Sequence, residues 1–110
     1  MIYKRSAERG DKLLVMFEIP GSVWAERIHL VGDSNGWDQE SLPLRLTRQG
    51  TWQIEVELDS GREYRFRYLI DGKGWGSDWH ADRHVLGADG LYDSVVVAKI
   101  RQQARELALT

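Results

Sequence analysis

Three groups of residues have types and spacings that could do chemistry. Gly32, Ser34 and Gly36 spell G-x-S-x-G. In serine hydrolases that motif is a sharp turn from a strand into a helix, on a large α/β sheet. Here it continues into Trp37, Asp38 and Pro43 without helical spacing, and 110 residues are too few for that fold. A short motif outside its structural context is a weak signal. Asp78, His80, Asp82 and His84 alternate in a second group. Histidines four apart could share a metal on one helix face, but the Gly-Trp-Gly-Ser before them opposes a helix. The expectation is a polar loop whose aspartates cap turns and whose histidines are solvated, with no metal and no cofactor. Glycoside hydrolysis needs two carboxylates at a set separation, and the aspartates here single out no pair. The chain is therefore not expected to be an enzyme.

The third group is aromatic and basic. Residues 61–79 read GREYRFRYLIDGKGWGSDW. Tyr64, Phe66, Tyr68 and Ile70 share one parity and Arg65, Arg67 and Leu69 the other. On a strand these sets face opposite ways, so the aromatics go to a core and the arginines to an outer face. Asp71 and Gly72 then turn the chain, and Trp75 and Trp79 follow. Trp37 and Trp75 both sit in turns rich in Gly, Asn and Asp. A loop tryptophan can fold back onto the core. If exposed, its flat apolar face can stack on the C–H face of a sugar ring while an arginine fork bonds the hydroxyls. Both readings stand on the sequence alone.

The elements that would position these residues are strands. Leu13, Val15, Phe17 and Ile19 alternate inward over residues 12–19, and Pro20-Gly21 ends that run. Trp24, Glu26, Ile28 and Leu30 share a parity in the next segment, with Trp24 expected to close one end of the core. Leu44 and Leu46 alternate with Arg45. Trp52, Ile54, Val56 and Leu58 alternate with Gln53, Glu55 and Glu57, so Trp52 is expected in the core. Residues 72–84 read as loop and residues 92–99 as a last β-branched strand. Residues 1–11 are a polar leader or a short edge element. Ile100, Ala104 and Leu107 fall at helical spacing, so a short C-terminal helix is expected, docked or frayed. Short strands separated by turns every ten residues or so argue for an all-β sandwich. Across the turn at Gly61, placing Leu58 opposite Tyr64 would set Glu57 against Arg65 and Glu55 against Arg67. Such cross-strand pairs explain both arginines without a ligand.

Composition narrows the function. The formal net charge is −2 with signs interspersed, which draws the chain to neither nucleic acid nor an anionic membrane. There is no cysteine, which excludes disulfides and thiolate metal sites and fits a reducing compartment. No apolar run approaches a bilayer span, and the first residues carry no apolar signal segment. A cytoplasmic protein of one domain, residues 1–110, is expected.

Five segments in order carry a family resemblance: VGDSNGWD (31–38), PLRL (43–46), GTWQIEVEL (50–58), GREYRFRYLIDG (61–72) and DSVVV (93–97). Over residues 12–99 the chain resembles carbohydrate-binding module family 48. These are early-set, immunoglobulin-like domains found before the catalytic barrel of isoamylases and glycogen branching enzymes. The glycogen-binding domain of the AMP-activated protein kinase beta subunit is a relative. The run WGSDWHADRHV is most similar to small stand-alone bacterial members, often labelled with glycoside hydrolase family 13. The resemblance implies an antiparallel β-sandwich of about seven to eight strands. It also implies an α-1,4-glucan ligand such as glycogen, starch or maltooligosaccharides. It places the two sugar-stacking tryptophans at Trp37 and Trp75, the basic residue at Arg67 and a polar contact at Asp93. Asp89 and Leu91 stand where the kinase-type domain has a leucine and a threonine on the sugar. Some members only pack against a neighbouring catalytic domain. The alternative is thus a protein-interaction module docking on an enzyme of glycogen metabolism, and a third reading is a fragment whose catalytic domain lies on another chain.

Overall fold

A computed structural model describes residues 1–7, 10–21 and 24–99; the expected C-terminal helix lies outside them. Among the described residues nine strands run β1 (Ile2–Ser6), β2 (Lys12–Ile19), β3 (Ile28–Gly32), β4 (Arg45–Leu46), β5 (Trp52–Asp59), β6 (Glu63–Ile70), β7 (Gly74–Gly76), β8 (Arg83–Leu86) and β9 (Tyr92–Val97). They form two antiparallel sheets in the orders β1-β2-β5-β4 and β3-β6-β9-β8, with β7 added to β6. Setting β7 and β8 aside, these are the two sheets of an immunoglobulin constant-type sandwich. The expected all-β sandwich is the observed one.

The alternating runs build the core. Leu13, Val15, Phe17 and Ile19 from β2 face Tyr64, Phe66 and Tyr68 from β6, and all are buried. Phe17 meets Phe66 edge to face at 5.0 Å. That contact joins the two strands that antibody domains tie with a disulfide, and apolar packing serves instead. Each such side chain taken from water contributes about 1.5–3 kcal/mol. The Tyr64 hydroxyl accepts from the Asp59 backbone N–H at 3.0 Å, pinning the turn between β5 and β6. Tyr68 keeps its hydroxyl satisfied inside by donating to Asp78 at 2.7 Å. On the edge strand β1, inward Lys4 reaches across to Asp82 of the other layer at 2.8 Å, which closes that side of the sandwich and blunts the edge.

Four expectations fail. β5 and β6 are not a hairpin: β5 pairs with β2 and β4, while β6 pairs with β3, β9 and β7. The turn at Gly61 carries the chain between sheets, so Glu55 pairs with Arg5 and both arginines of β6 turn to Asp93. An inward apolar parity is equally satisfied by a hairpin or by two layers facing each other, so alternation could not choose. Trp24 closes nothing; it is 96% exposed because β3 begins only at Ile28. Leu46 is likewise exposed, since β4 is two residues long. Residues 72–84 are not all loop, for they hold β7 and the start of β8. Residues 2–6 resolve as an edge strand and Trp52 is buried.

Candidate functional site

Asn35 shapes the G-x-S-x-G segment into a ledge. After β3 the chain makes a 3-10 turn (Asp33–Asn35) and then two left-handed residues, Gly36 and Trp37, with φ 65° and 62°. The Asn35 carbonyl accepts from the Gly32 N–H at 3.1 Å, and its amide donates to the Asp38 carbonyl and to the Ser41 hydroxyl, each at 2.9 Å. Gly32 is required because a Cβ there would lie 2.2 Å from the Arg65 carbonyl oxygen. Among the described residues no α-helix follows, so the segment lacks the strand–turn–helix frame of a nucleophile elbow, and Ser34 lies within the 3-10 turn. The product of this geometry is the placement of Trp37, whose indole N–H donates to Asp33 at 3.0 Å. The other Asp33 oxygen accepts from the backbone N–H of Arg65 at 2.9 Å.

Trp75 comes from the opposite side. β7 pairs Trp75 with Leu69, so the indole shares the outer face of β6 with Arg65 and Arg67. The guanidinium carbon of Arg67 lies 5.7 Å from the indole ring centre, within cation–π range. Arg67 is outward yet buried. Its Nε donates to Asp93, its Nη1 and Nη2 donate to Asp89 at 2.7 and 2.9 Å, and Nη2 also reaches the Leu91 carbonyl at 3.4 Å. The hydrogen bonds it donates to Asp89 hold the guanidinium more firmly protonated than usual. In return Arg67 pulls the Asp89 carboxyl down to about 2. Arg65 sits 3.1 Å from the second Asp93 oxygen as an ion pair out of line for a hydrogen bond.

Contacts therefore run without a break from Trp37 through Asp33, Arg65, Asp93 and Arg67 to Trp75. All four residues expected at a site, Trp37, Arg67, Trp75 and Asp93, lie along this row. Both indoles are 38% exposed, neither buried nor free. Sequence reasoning missed Asp33 as the link between Trp37 and β6, and missed Asp89 as the partner of Arg67. The turn residues at 32–36 marked the first place without saying what Asp33 would hold, and Asp89 was noted only as a departure at a position the family resemblance places on the sugar.

The second chemical group resolves differently. Asp78 is buried; its carboxylate accepts from the Tyr68 hydroxyl and from the His80 N–H at 2.8 Å, so it does cap a turn. His84 is not simply solvated, for its Nε2 lies 2.8 Å from the Asp78 carbonyl. Among the described residues no three His, Asp or Glu side chains are gathered to hold a metal. Nor, among them, is any helix long and apolar enough to cross a membrane.

The fold is thus an immunoglobulin-type sandwich whose second sheet carries two partly covered indoles joined by a polar row. The family model described as Carbohydrate-binding module 48 (Isoamylase N-terminal domain) matches residues 20–89, and the chain belongs to that family. Its relatives include the 1,4-alpha-glucan branching enzyme GlgB of Burkholderia pseudomallei (strain 668). That protein is 40% identical over 52% of this chain and 9% of its own length. The 1,4-alpha-glucan branching enzyme GlgB 2 of Xanthomonas campestris pv. campestris (strain 8004) is 29% identical over 61% of this chain and 10% of its own. The chain thus spans about a tenth of the length of the curated relatives it matches.

Proposed function

We propose that this chain is a non-catalytic module for α-1,4-glucans such as glycogen, starch or maltooligosaccharides, acting in the cytoplasm as a single domain. The observation that carries the reading is the unbroken row of contacts from Trp37 to Trp75. Two indoles fixed in position lose little entropy when a ligand arrives, which is what an open, shallow surface needs to bind at all. Glucose rings would stack on Trp37 and Trp75. Asp93 and Arg67 would hold the polar strip between them. The Trp37 N–H is already used by Asp33, so its contribution is the ring face. The names of the relatives, 1,4-alpha-glucan branching enzymes, support this ligand class.

The test is a titration with maltoheptaose followed by tryptophan fluorescence and indole N–H resonances. The Trp37 and Trp75 signals should move together, saturating at millimolar sugar. If neither moves there, the glucan reading fails. Incubation with glycogen should release no sugar, and hydrolysis would overturn the non-catalytic part.

One observation favours a second reading, docking on an enzyme of glycogen metabolism. Trp24 and Trp79 are 96% and 92% exposed, and large bare aromatics commonly anchor protein interfaces. Loss of binding to a purified branching enzyme in a Trp24→Ser, Trp79→Ser variant would support it.

A further inference from the structure

We propose that Asp89 selects ligands by charge: it closes the donor fork of Arg67, so this face accepts neutral polyhydroxylated ligands and refuses anionic ones. The inference rests on the reading of the face as a ligand surface. An arginine beside an exposed indole would ordinarily take a phosphate or carboxylate, because its planar fork matches two oxygens at once. Here the fork is already filled. Four of the five N–H donors that an arginine carries are engaged, by Asp93, by both Asp89 oxygens and by the Leu91 carbonyl.

The turn at residues 87–91 is shaped to keep it filled. A Cβ on Gly87 would lie 2.9 Å from the Leu91 carbonyl oxygen and 2.8 Å from Arg67 Nη2, so a side chain there would push the turn off the guanidinium. Gly90 takes φ 84° to close the turn. The Gly87 N–H donates to the Leu91 carbonyl at 2.7 Å, and the Leu91 N–H donates to Asp89 Oδ1 at 3.1 Å. The row holds two guanidiniums against the three carboxylates of Asp33, Asp89 and Asp93. An arriving anion therefore meets a formal excess of negative charge. The Asp89 side chain is 52% exposed, so a ligand over Trp75 meets a carboxylate rim. Sugar hydroxyls can donate to that rim without bringing charge, while a phosphate, though its P–OH can also donate, brings a negative charge that the carboxylate repels.

The experiment titrates the wild type, Asp89→Asn and Asp89→Ala with inorganic phosphate at constant ionic strength, following the Arg67 Nε–H and Trp75 indole N–H resonances. Asn keeps an oxygen for the Leu91 N–H, so it decides the matter if Ala unsettles the turn. The wild-type signals should stay still. Those of the variants should move and saturate, with apparent affinity at least about tenfold tighter than any wild-type response. A wild-type Arg67 that responds as the variants do, or an Asn variant that stays silent, overturns the inference. A parallel maltoheptaose titration separates the two proposals. Phosphate contrast without sugar binding sinks the glucan reading and leaves the charge gate; sugar binding without phosphate contrast does the reverse.

Discussion

The two outer faces of the sandwich are built on different principles. On the first sheet the outward face mixes half-buried Leu14 and Met16 with charged residues, and its ion pair is wet. Arg5 grips Glu55 at 3.0 and 3.2 Å in an exposed pair, and a cleft of about 820 Å³ beside β4 is lined by Met16, Arg45, Gln53 and their neighbours. On the second sheet the outward face has a buried apolar floor, Val31, Leu69 and Val95. Arg67 and Asp93 are drawn down beside it and buried. The first face thus offers more volume, against about 410 Å³ beside His29 and Leu69 on the second, and the second offers preorganisation. For a ligand rich in hydroxyls, side chains already fixed in place are worth more than room, because ordering them on binding would cost free energy. The contrast also sorts the tryptophans, since Trp37 and Trp75 are tied into the row while Trp24 and Trp79 stand almost wholly in solvent.

The sharpest way to break the contrast is Arg67→Ala. It leaves the buried Asp93 carboxylate without its main partner, and breaking one half of a buried pair typically costs about 3–5 kcal/mol. Urea unfolding should show that loss. A change below about 1 kcal/mol, the range for surface ion pairs, would mean that the two faces are energetically alike.

Next come the indoles. Trp37→Ala and Trp75→Ala should each weaken maltoheptaose at least about tenfold, or about 1.4 kcal/mol, with little change in the urea midpoint. Trp24→Ala and Trp79→Ala should leave that affinity unchanged. Equal losses from all four would show that exposure alone, and not attachment to the row, decides which tryptophan binds.

Much of this contrast was legible in the sequence, and the rest was not for a definable reason. Period-two alternation records which way a side chain points, so the inward sets of β2, β5 and β6 and the outward setting of Arg67 follow directly. It does not record what lies beyond. The partners of Arg67 are Asp89 and Asp93, 22 and 26 residues away, and only the sheet order brings them to it. The same blindness produced the false β5–β6 hairpin. Trp24 failed because the parity of β3 was extended backwards past its first paired residue. β7 is Gly-Trp-Gly, too short to carry a period, yet it sets Trp75 against Leu69.

Acid should loosen the second face before it unfolds the chain. Arg67 holds the Asp89 carboxyl down to about 2, below its ordinary value. A carboxylate with a depressed folded pKa contributes stability that is complete above about pH 4. That contribution is lost as pH falls through about 2. The difference in urea midpoint between wild type and Asp89→Asn should therefore be constant from neutral pH to about pH 4 and shrink below it. A difference that vanishes already near neutral pH would detach Asp89 from Arg67.

The smallest effect belongs to the first face. Arg5→Ala removes a two-pronged pair with Glu55, but both side chains are exposed. Water solvates Glu55 as soon as the arginine leaves, and the entropy once spent holding two long side chains together is recovered. The expected cost is about 0.2–1 kcal/mol, falling further in high salt as the charges are screened. Arg67 and Arg5 each pair two N–H groups with a partly exposed carboxylate, Asp89 and Glu55, so that pair alone would rank them together. What separates them is the further, buried pair of Arg67 with Asp93. Measuring both at low and high salt isolates that pair: the Arg5 effect should fade with added salt while most of the Arg67 effect persists, because ions cannot approach the contact with Asp93.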